Sequence, residues 1–348
     1  MRGVKRGTTS TEDRRNTRPL IGLTQGDPAG IGPELCLGML VDRAVLRRCI
    51  PVVFGDAALL DRVAAASGLP RPRRILALGE WRRVQPHTPV VVDLQCVKGG
   101  RLRQGRISAA AGWAAHRCIA VATEEALAGR IAGMATAPIH KESLRLGGIP
   151  YPGHTELLAA LTRTKRYCMM MMSDRLSTAL VTTHTALANV PGLLTAKRIQ
   201  EVIELAADAL SRVRGRPPRL VVCALNPHAG EHGLMGDEEQ RSIEPAIRAA
   251  RKRGIAVEGP LPPDTAFLPE RIEHTDAYVC MYHDQGLIPF KMLAFETGIN
   301  VTLGLPIVRT SPDHGTAFDI AWTGRAKTES MRQAVLYAAK LAVLRDPS

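Results

Sequence analysis

The stretch Pro19–Glu34, PLIGLTQGDPAGIGPE, gives the fold its first unit. Pro19–Leu23 is apolar and reads as a strand. Gly26–Gly32 is a Gly/Pro-rich turn, and Pro33 suits the first turn of a helix, where its missing N–H costs nothing. A strand running straight through a tight turn into a helix is the opening unit of an α/β fold. The turn is not G-x-G-x-x-G, so the dinucleotide fingerprint is absent. It is expected to place backbone N–H groups and Asp27 beside a cleft.

The same alternation continues outward. Val52–Gly55, Ile75–Leu78, Val90–Leu94, Gly133–Ala137, Tyr167–Met172, Ser177–Thr183, Leu220–Leu225 and Ala277–Met281 read as strands. Between them, Ala57–Ala66, Ile107–Ala128, Thr195–Arg212, Glu238–Arg253 and Lys327–Leu344 carry helical periodicity. The pattern predicts an α/β protein with a mostly parallel sheet and helices on both faces. With 348 residues the chain is long enough for two packed lobes or one large α/β domain.

Seven cysteines, an odd number widely spaced and with no C-x-x-C, indicate free thiols in a reducing cytoplasm rather than a disulfide framework. No apolar run is long enough to span a bilayer and no signal-peptide pattern is present, so no membrane association is expected. The net charge of +13 is partly concentrated in residues 1–18, a basic tail without hydrophobic periodicity that is expected to be disordered. The remaining cations are dispersed and lack interleaved aromatics. Nucleic-acid binding is therefore not expected, and the basic balance suits anionic substrates.

In α/β folds chemistry collects at the carboxyl ends of strands. Polar clusters stand there: Thr24–Glu34, Thr136–Lys141, His184, Asn226–Glu231 and His283–Gln285. His184 in VTTH, His228 in NPHAGE and His283 in MYHDQG occupy equivalent places, and three neutral imidazoles suit zinc or a similar divalent ion with one position left open. His314, Gly315, Thr316 and Ala317 can wrap backbone around an adenosine, and the Asp319 carboxylate can accept from ribose hydroxyls. A carboxylate there favours NAD, because it repels the extra phosphate of NADP. Lys291, Arg309 and Arg145 are cations suited to phosphate or carboxylate, and His154 and Thr155 open a helix whose N–H groups suit an anion.

The segments GDPAGIGPE, APIHK, GIPYPGHTE, VTTH, LNPHAGE, GPLPPDTAF, MYHDQG and NVTLGLPIVRTSPDHGTAFDIA stand in this order from about residue 20 onward. In these motifs the chain resembles the 4-hydroxythreonine-4-phosphate dehydrogenase family. The resemblance implies a two-lobed fold like that of isocitrate and isopropylmalate dehydrogenases, with the active site in the interlobe cleft and completed by a second subunit of a homodimer. It implies a cofactor-side lobe of residues 19–135 plus 304–348, and a metal, substrate and dimerisation lobe of residues 136–303. By motif, His184, His228 and His283 are its metal ligands, with zinc the first choice and magnesium or cobalt the alternatives. His154, Thr155, Lys291, Asn300 and Arg309 are its substrate contacts, and His314–Ala317 with Asp319 its NAD loop. Lys141, Asp264 and a metal-bound water are the candidate proton acceptors. The implied reaction is oxidation of a small phosphorylated hydroxy acid. In the family's biosynthetic branch 4-phosphohydroxy-L-threonine becomes 2-amino-3-oxo-4-phosphooxybutanoate, which decarboxylates to 3-amino-2-oxopropyl phosphate. Phe318 stands where that branch more often has an aliphatic residue, and it leans toward paralogues acting on threonate or erythronate 4-phosphate; dihydrodiol dehydrogenases share the scaffold. A metal-dependent hydrolase or aldolase would have no use for the HGTAFDIA loop.

Overall fold

The computed structural model describes residues 18–97 and 102–344. Most of the basic tail lies outside the described residues. Arg18, assigned to that tail, is instead held in place: its guanidinium donates to the carbonyls of Leu46 and His87.

Twelve strands form one sheet: β1 (Leu20–Thr24), β2 (Ile50–Gly55), β3 (Ile75–Ala77), β4 (Val90–Asp93), β5 (Gly133–Thr136), β6 (Cys168–Met172), β7 (Ser177–Leu180), β8 (Leu220–Cys223), β9 (Val257–Leu261), β10 (Ala277–Cys280), β11 (Ile299–Leu303) and β12 (Arg309–Pro312). Their spatial order is β3-β4-β2-β1-β5-β12-β11-β6-β7-β10-β8-β9. The α/β class expected from the sequence is the one observed. Pairing is parallel from β3 to β12 and from β7 to β9, and antiparallel only at β12–β11, β11–β6 and β6–β7. Two parallel sets thus run in opposite directions and meet through an antiparallel centre.

Inside the two parallel sets, β2, β8 and β10 are buried along their whole length because both faces are covered. Helices start and stop where the sequence caps them. Ser108 and Thr195 accept from Ala111 N and Arg198 N at the starts of Ala109–Leu127 and Ala196–Arg214, and Gly215 closes the latter in the left-handed conformation.

On one face a single apolar core runs across both parallel sets, from Ile21, Leu23 and Ala135 through Met170, Ile299 and Val301 to Val222 and Val279. The other face carries separate cores. One gathers Val52, Phe54, Val92 and Met134 under helix Ala109–Leu127, and another gathers Met171, Val221, Tyr278 and Phe290 under helix His283–Ala294. Side chains alternate along a strand, so Thr136, Arg309, Asn300, Thr302 and Met169 project on this second face. Its polar middle lies where the two cores part.

Candidate active site

A cavity of about 200 Å³ opens over that polar middle, lined among others by Thr136, Lys141, His154, Thr155, Glu156, His184, Asn300, Arg309, Asp313, His314 and Gly315. Arg309 forms its floor and is 2% exposed. Its guanidinium donates to Thr136 Oγ1 (3.1 Å from Nε, 2.8 Å from Nη2), to Thr302 Oγ1 (3.0 Å) and to Asn300 Oδ1 (3.5 Å). All three partners are neutral, and Arg309 makes no ion pair among the described residues. Burial pushes the guanidinium down to about 9, opposed only by the more distant Glu156 carboxylate. A desolvated cation without a counter-ion is costly, so this floor is complementary to an anion.

His154 and Thr155 begin helix His154–Leu161, where Gly153 supplies no side-chain cap. His154 Nε2 is buried without a hydrogen-bond partner among the described residues. Burial first, and Arg309 second, hold the imidazole well below its ordinary value, so the ring is neutral at pH 7. Asn300, Arg309, His154 and Thr155, expected as substrate contacts, therefore share one cavity. Lys291 stands at its edge, with Nζ 3.6 Å from Asp313 Oδ2. Arg309 and Asn300 lie within β12 and β11, so the floor is built from the antiparallel centre rather than from residues beyond strand ends.

Of the three histidines, the structure brings two together. His184 follows β7 and His283 follows β10, and their rings lie 5.6 Å apart between centroids. His283 Nδ1 bonds Asp284 Oδ1 at 2.6 Å, which fixes that nitrogen as the donor and leaves Nε2 free as a ligand. Burial and the nearby Lys141 ammonium push His184 down, toward the neutral form a metal needs. Two neutral imidazoles this close could hold a divalent ion between them.

His228 is exposed and joins no group of three metal-binding side chains among the described residues. Its place follows from the backbone. His228 to His232 all lie in the left-handed region, with φ between 40° and 77°, which turns the chain outward directly after β8. Glu239, 2% exposed, anchors the chain just before this run: its carboxylate accepts from Leu225 N (2.8 Å), Asn226 N (2.9 Å) and Asn226 Nδ2 (3.0 Å). Asp264, also exposed, sits on the helical turn Pro263–Ala266 packed against the His228 turn. Lys141 and Asp264, the two candidate proton acceptors, are thus separated: Lys141 lines the cavity and Asp264 accompanies His228.

The loop from His314 to Asp319 is braced from behind by the Gly26–Glu34 turn. Ile31 N donates to Thr316 O (3.0 Å), and a Cβ on Gly30 would lie 2.7 Å from that oxygen, so only glycine admits the loop. Glu34 accepts from Trp322 N (2.8 Å) and Gly324 N (2.7 Å). Asp27 is fully buried, and Asp27 N donates to Pro138 O (2.9 Å). The turn was expected to offer N–H groups and Asp27 to a cleft; the N–H groups of Asp27 and Ile31 and Asp27 Oδ1 instead bond within the protein, while Asp27 Oδ2 is buried without a partner among the described residues. Asp319 is exposed, Gly315 has open space around it, and the Phe318 ring stacks on His140 at 5.0 Å. An open backbone stretch followed by an outward carboxylate fits an adenosine ribose.

The sequence model of the family described as pyridoxal phosphate biosynthetic protein PdxA matches residues 47–338. The chain belongs to this family. Among its relatives, a 4-hydroxythreonine-4-phosphate dehydrogenase of Desulfosudis oleivorans is 48% identical, covering 92% of this chain and 95% of that protein. A D-threonate 4-phosphate dehydrogenase of Salmonella typhimurium is 47% identical, covering 92% of this chain and 98% of that protein. A crystal structure of 4-hydroxythreonine-4-phosphate dehydrogenase from Klebsiella pneumoniae superposes with a TM-score of 0.83 at 45% identity, covering 94% of this chain and 99% of that one. Among the described residues, no helix is long and apolar enough to cross a membrane.

Three contributors had not been singled out. Asp313 and Glu156 sit inside SPDHGTAF and PGHTE, close to a histidine that carries the stronger chemical signal in each motif. Glu239 follows no strand and belongs to no motif, so nothing in the sequence pointed to it.

Proposed function

We propose that this protein oxidises the secondary alcohol of 4-phosphohydroxy-L-threonine with NAD, yielding a β-keto acid that loses CO₂ to give 3-amino-2-oxopropyl phosphate. The observation that carries the reading is the buried Arg309, whose partners among the described residues are all neutral side chains, beside a His154 Nε2 that has no partner among them. Anionic groups of the substrate complete that arrangement. Arg309, His154, Thr155 and Asn300 bind and orient, and Lys291 meets the phosphate. Lys141, on the cavity wall beside His184, is placed to take the hydroxyl proton once it has given its own proton to solvent and stands as the free amine.

His184 and His283 would hold a divalent metal, with zinc the first choice, and His314–Ala317 with Asp319 would hold NAD. When bound, the metal supplies Lewis-acid polarisation of the reacting oxygen and NAD supplies the hydride acceptor. The third ligand of our reading, His228, points outward on its own subunit together with Asp264. We assign both to the neighbouring site of a homodimer, each cleft receiving them from the partner. Such an interface is isologous, and one two-fold axis completes both clefts.

A second reading takes D-threonate 4-phosphate as substrate. A relative bearing that name is 47% identical, and Phe318 leans the same way. Assay of the purified protein with NAD against both compounds and their dephosphorylated forms tests the proposal. Removing the phosphate should lower kcat/KM by about 10³, because a desolvated cation is left unpaired. Equal turnover of 4-hydroxythreonine with and without phosphate would overturn it.

A further inference from the structure

Asp313 stands at the joint between β12, which carries Arg309, and the His314–Asp319 loop. Its backbone is pinned on the far side: Asp313 N donates to Ser330 Oγ (3.2 Å), which itself donates to Gly298 O (3.0 Å) at the approach to β11. Its side chain is 14% exposed and reaches Lys291 Nζ at 3.6 Å. No other carboxylate pairs with Lys291 among the described residues. The aromatic ring of Phe295, one turn further along the helix, lies 5.9 Å from the same ammonium. Asp313 lines the cavity and Lys291 does not, so the ion pair is what brings the ammonium to the rim.

On charge alone this arrangement works against an anion site, since a carboxylate at the wall repels an incoming phosphate. Burial already pushes the Asp313 carboxyl up, with Lys291 the main influence pulling it back. A fixed acid is useful here in one way: it holds a long, mobile side chain at one spot. Lysine is a point charge on a flexible stem, and without an anchor it spends its time in solvent.

We propose that Asp313 is a positioning residue that holds the Lys291 ammonium at the cavity rim, where it bridges to the phosphate of the substrate. This rests on the function proposed above. Lying between anion and carboxylate, the ammonium is closer to each than they are to one another, so attraction outweighs repulsion.

Positioning and charge predict opposite signs, which makes the test decisive. In the full chain, binding of inorganic phosphate is measured by calorimetry for the native protein, Asp313→Asn, Asp313→Glu, Lys291→Met and the Asp313→Asn/Lys291→Met double variant. Asp313→Asn should weaken phosphate about tenfold, as Lys291→Met does, and the double variant should be no weaker than Lys291→Met. KM for the phosphorylated substrate should rise by the same factor while kcat stays within about threefold. Asp313→Glu keeps the charge but displaces it by one methylene, and it should weaken phosphate by about threefold. That variant decides the matter even if Asp313→Asn fails to fold. Phosphate bound equally or more tightly by either Asp313 variant would overturn the proposal, as would a double variant whose loss is the product of the two single losses. Absence of turnover by the native protein would sink the proposed reaction while leaving the phosphate comparison intact.

Discussion

Replacing Arg309 by methionine should make the unliganded protein more stable while abolishing its activity. The fall of the guanidinium from 12.5 to about 9 corresponds, at 1.36 kcal/mol per pH unit, to roughly 5 kcal/mol of charge burial that the fold carries. The bonds to Thr136, Thr302 and Asn300 are neutral-partner bonds of about 1 kcal/mol each, and their loss offsets part of that gain. Methionine fills similar volume without a charge, so a net stabilisation of about 1–3 kcal/mol is expected, a few degrees in melting temperature. The sign with pH follows from linkage. The unfolded guanidinium stays protonated up to 12.5, so the cost is present in full everywhere below about 9 and diminishes only above it. The gap between variant and native protein should therefore be flat between about pH 6 and 8. Melting curves without and with inorganic phosphate provide the assay: phosphate should raise the native melting temperature and leave the variant unmoved. kcat/KM should fall by at least about 10³. An Arg309→Met protein that melts well below the native one would refute the reasoning, because the guanidinium would then be holding the sheet together rather than awaiting an anion.

Three further outcomes are expected. His154 is kept neutral by burial, so its folded value lies below the unfolded 6.5; stability should drop as pH falls from there toward the folded value, and His154→Asn should flatten that drop in acid-titration melts. Asp319→Lys should move cofactor preference from NAD toward NADP, measured as the ratio of kcat/KM values; native protein that uses NADP equally well would defeat this reading of the loop. His228→Ala and His283→Ala should each be metal-free and inactive by elemental analysis and assay. A refolded equal mixture should regain about a quarter of the native activity, since half the dimers carry one intact site; no recovery would rule out a ligand shared between subunits.

The β1–turn–helix unit was legible because alternating strand and helix signals in Pro19–Glu34 leave few alternatives. Of the antiparallel centre, β6 and β7 were legible as neighbouring apolar runs, but β11 and β12 were not. Asn300, Thr302 and Arg309 interrupt the apolar runs that identify strands, and they do so because they face a polar cavity rather than a core. Helix His283–Ala294 escaped notice because Gly286 and Pro289 lie inside it. The histidines were readable as a chemical type, but position depends on the turns that follow each strand. His184 and His283 meet, whereas five successive left-handed residues carry His228 outward, after a stretch anchored by the buried Glu239.

The two faces of the sheet also differ mechanically. The core that runs unbroken beneath both parallel sets acts as a spine, and any hinge between them must bend it without parting it. Close-packed interiors resist such deformation. On the cavity side the cores are separate, so the halves can spread there like the pages of a bound book. Any opening of the cleft would then fall to small changes in sheet twist at the antiparallel strands, and would expose little of the shared apolar core.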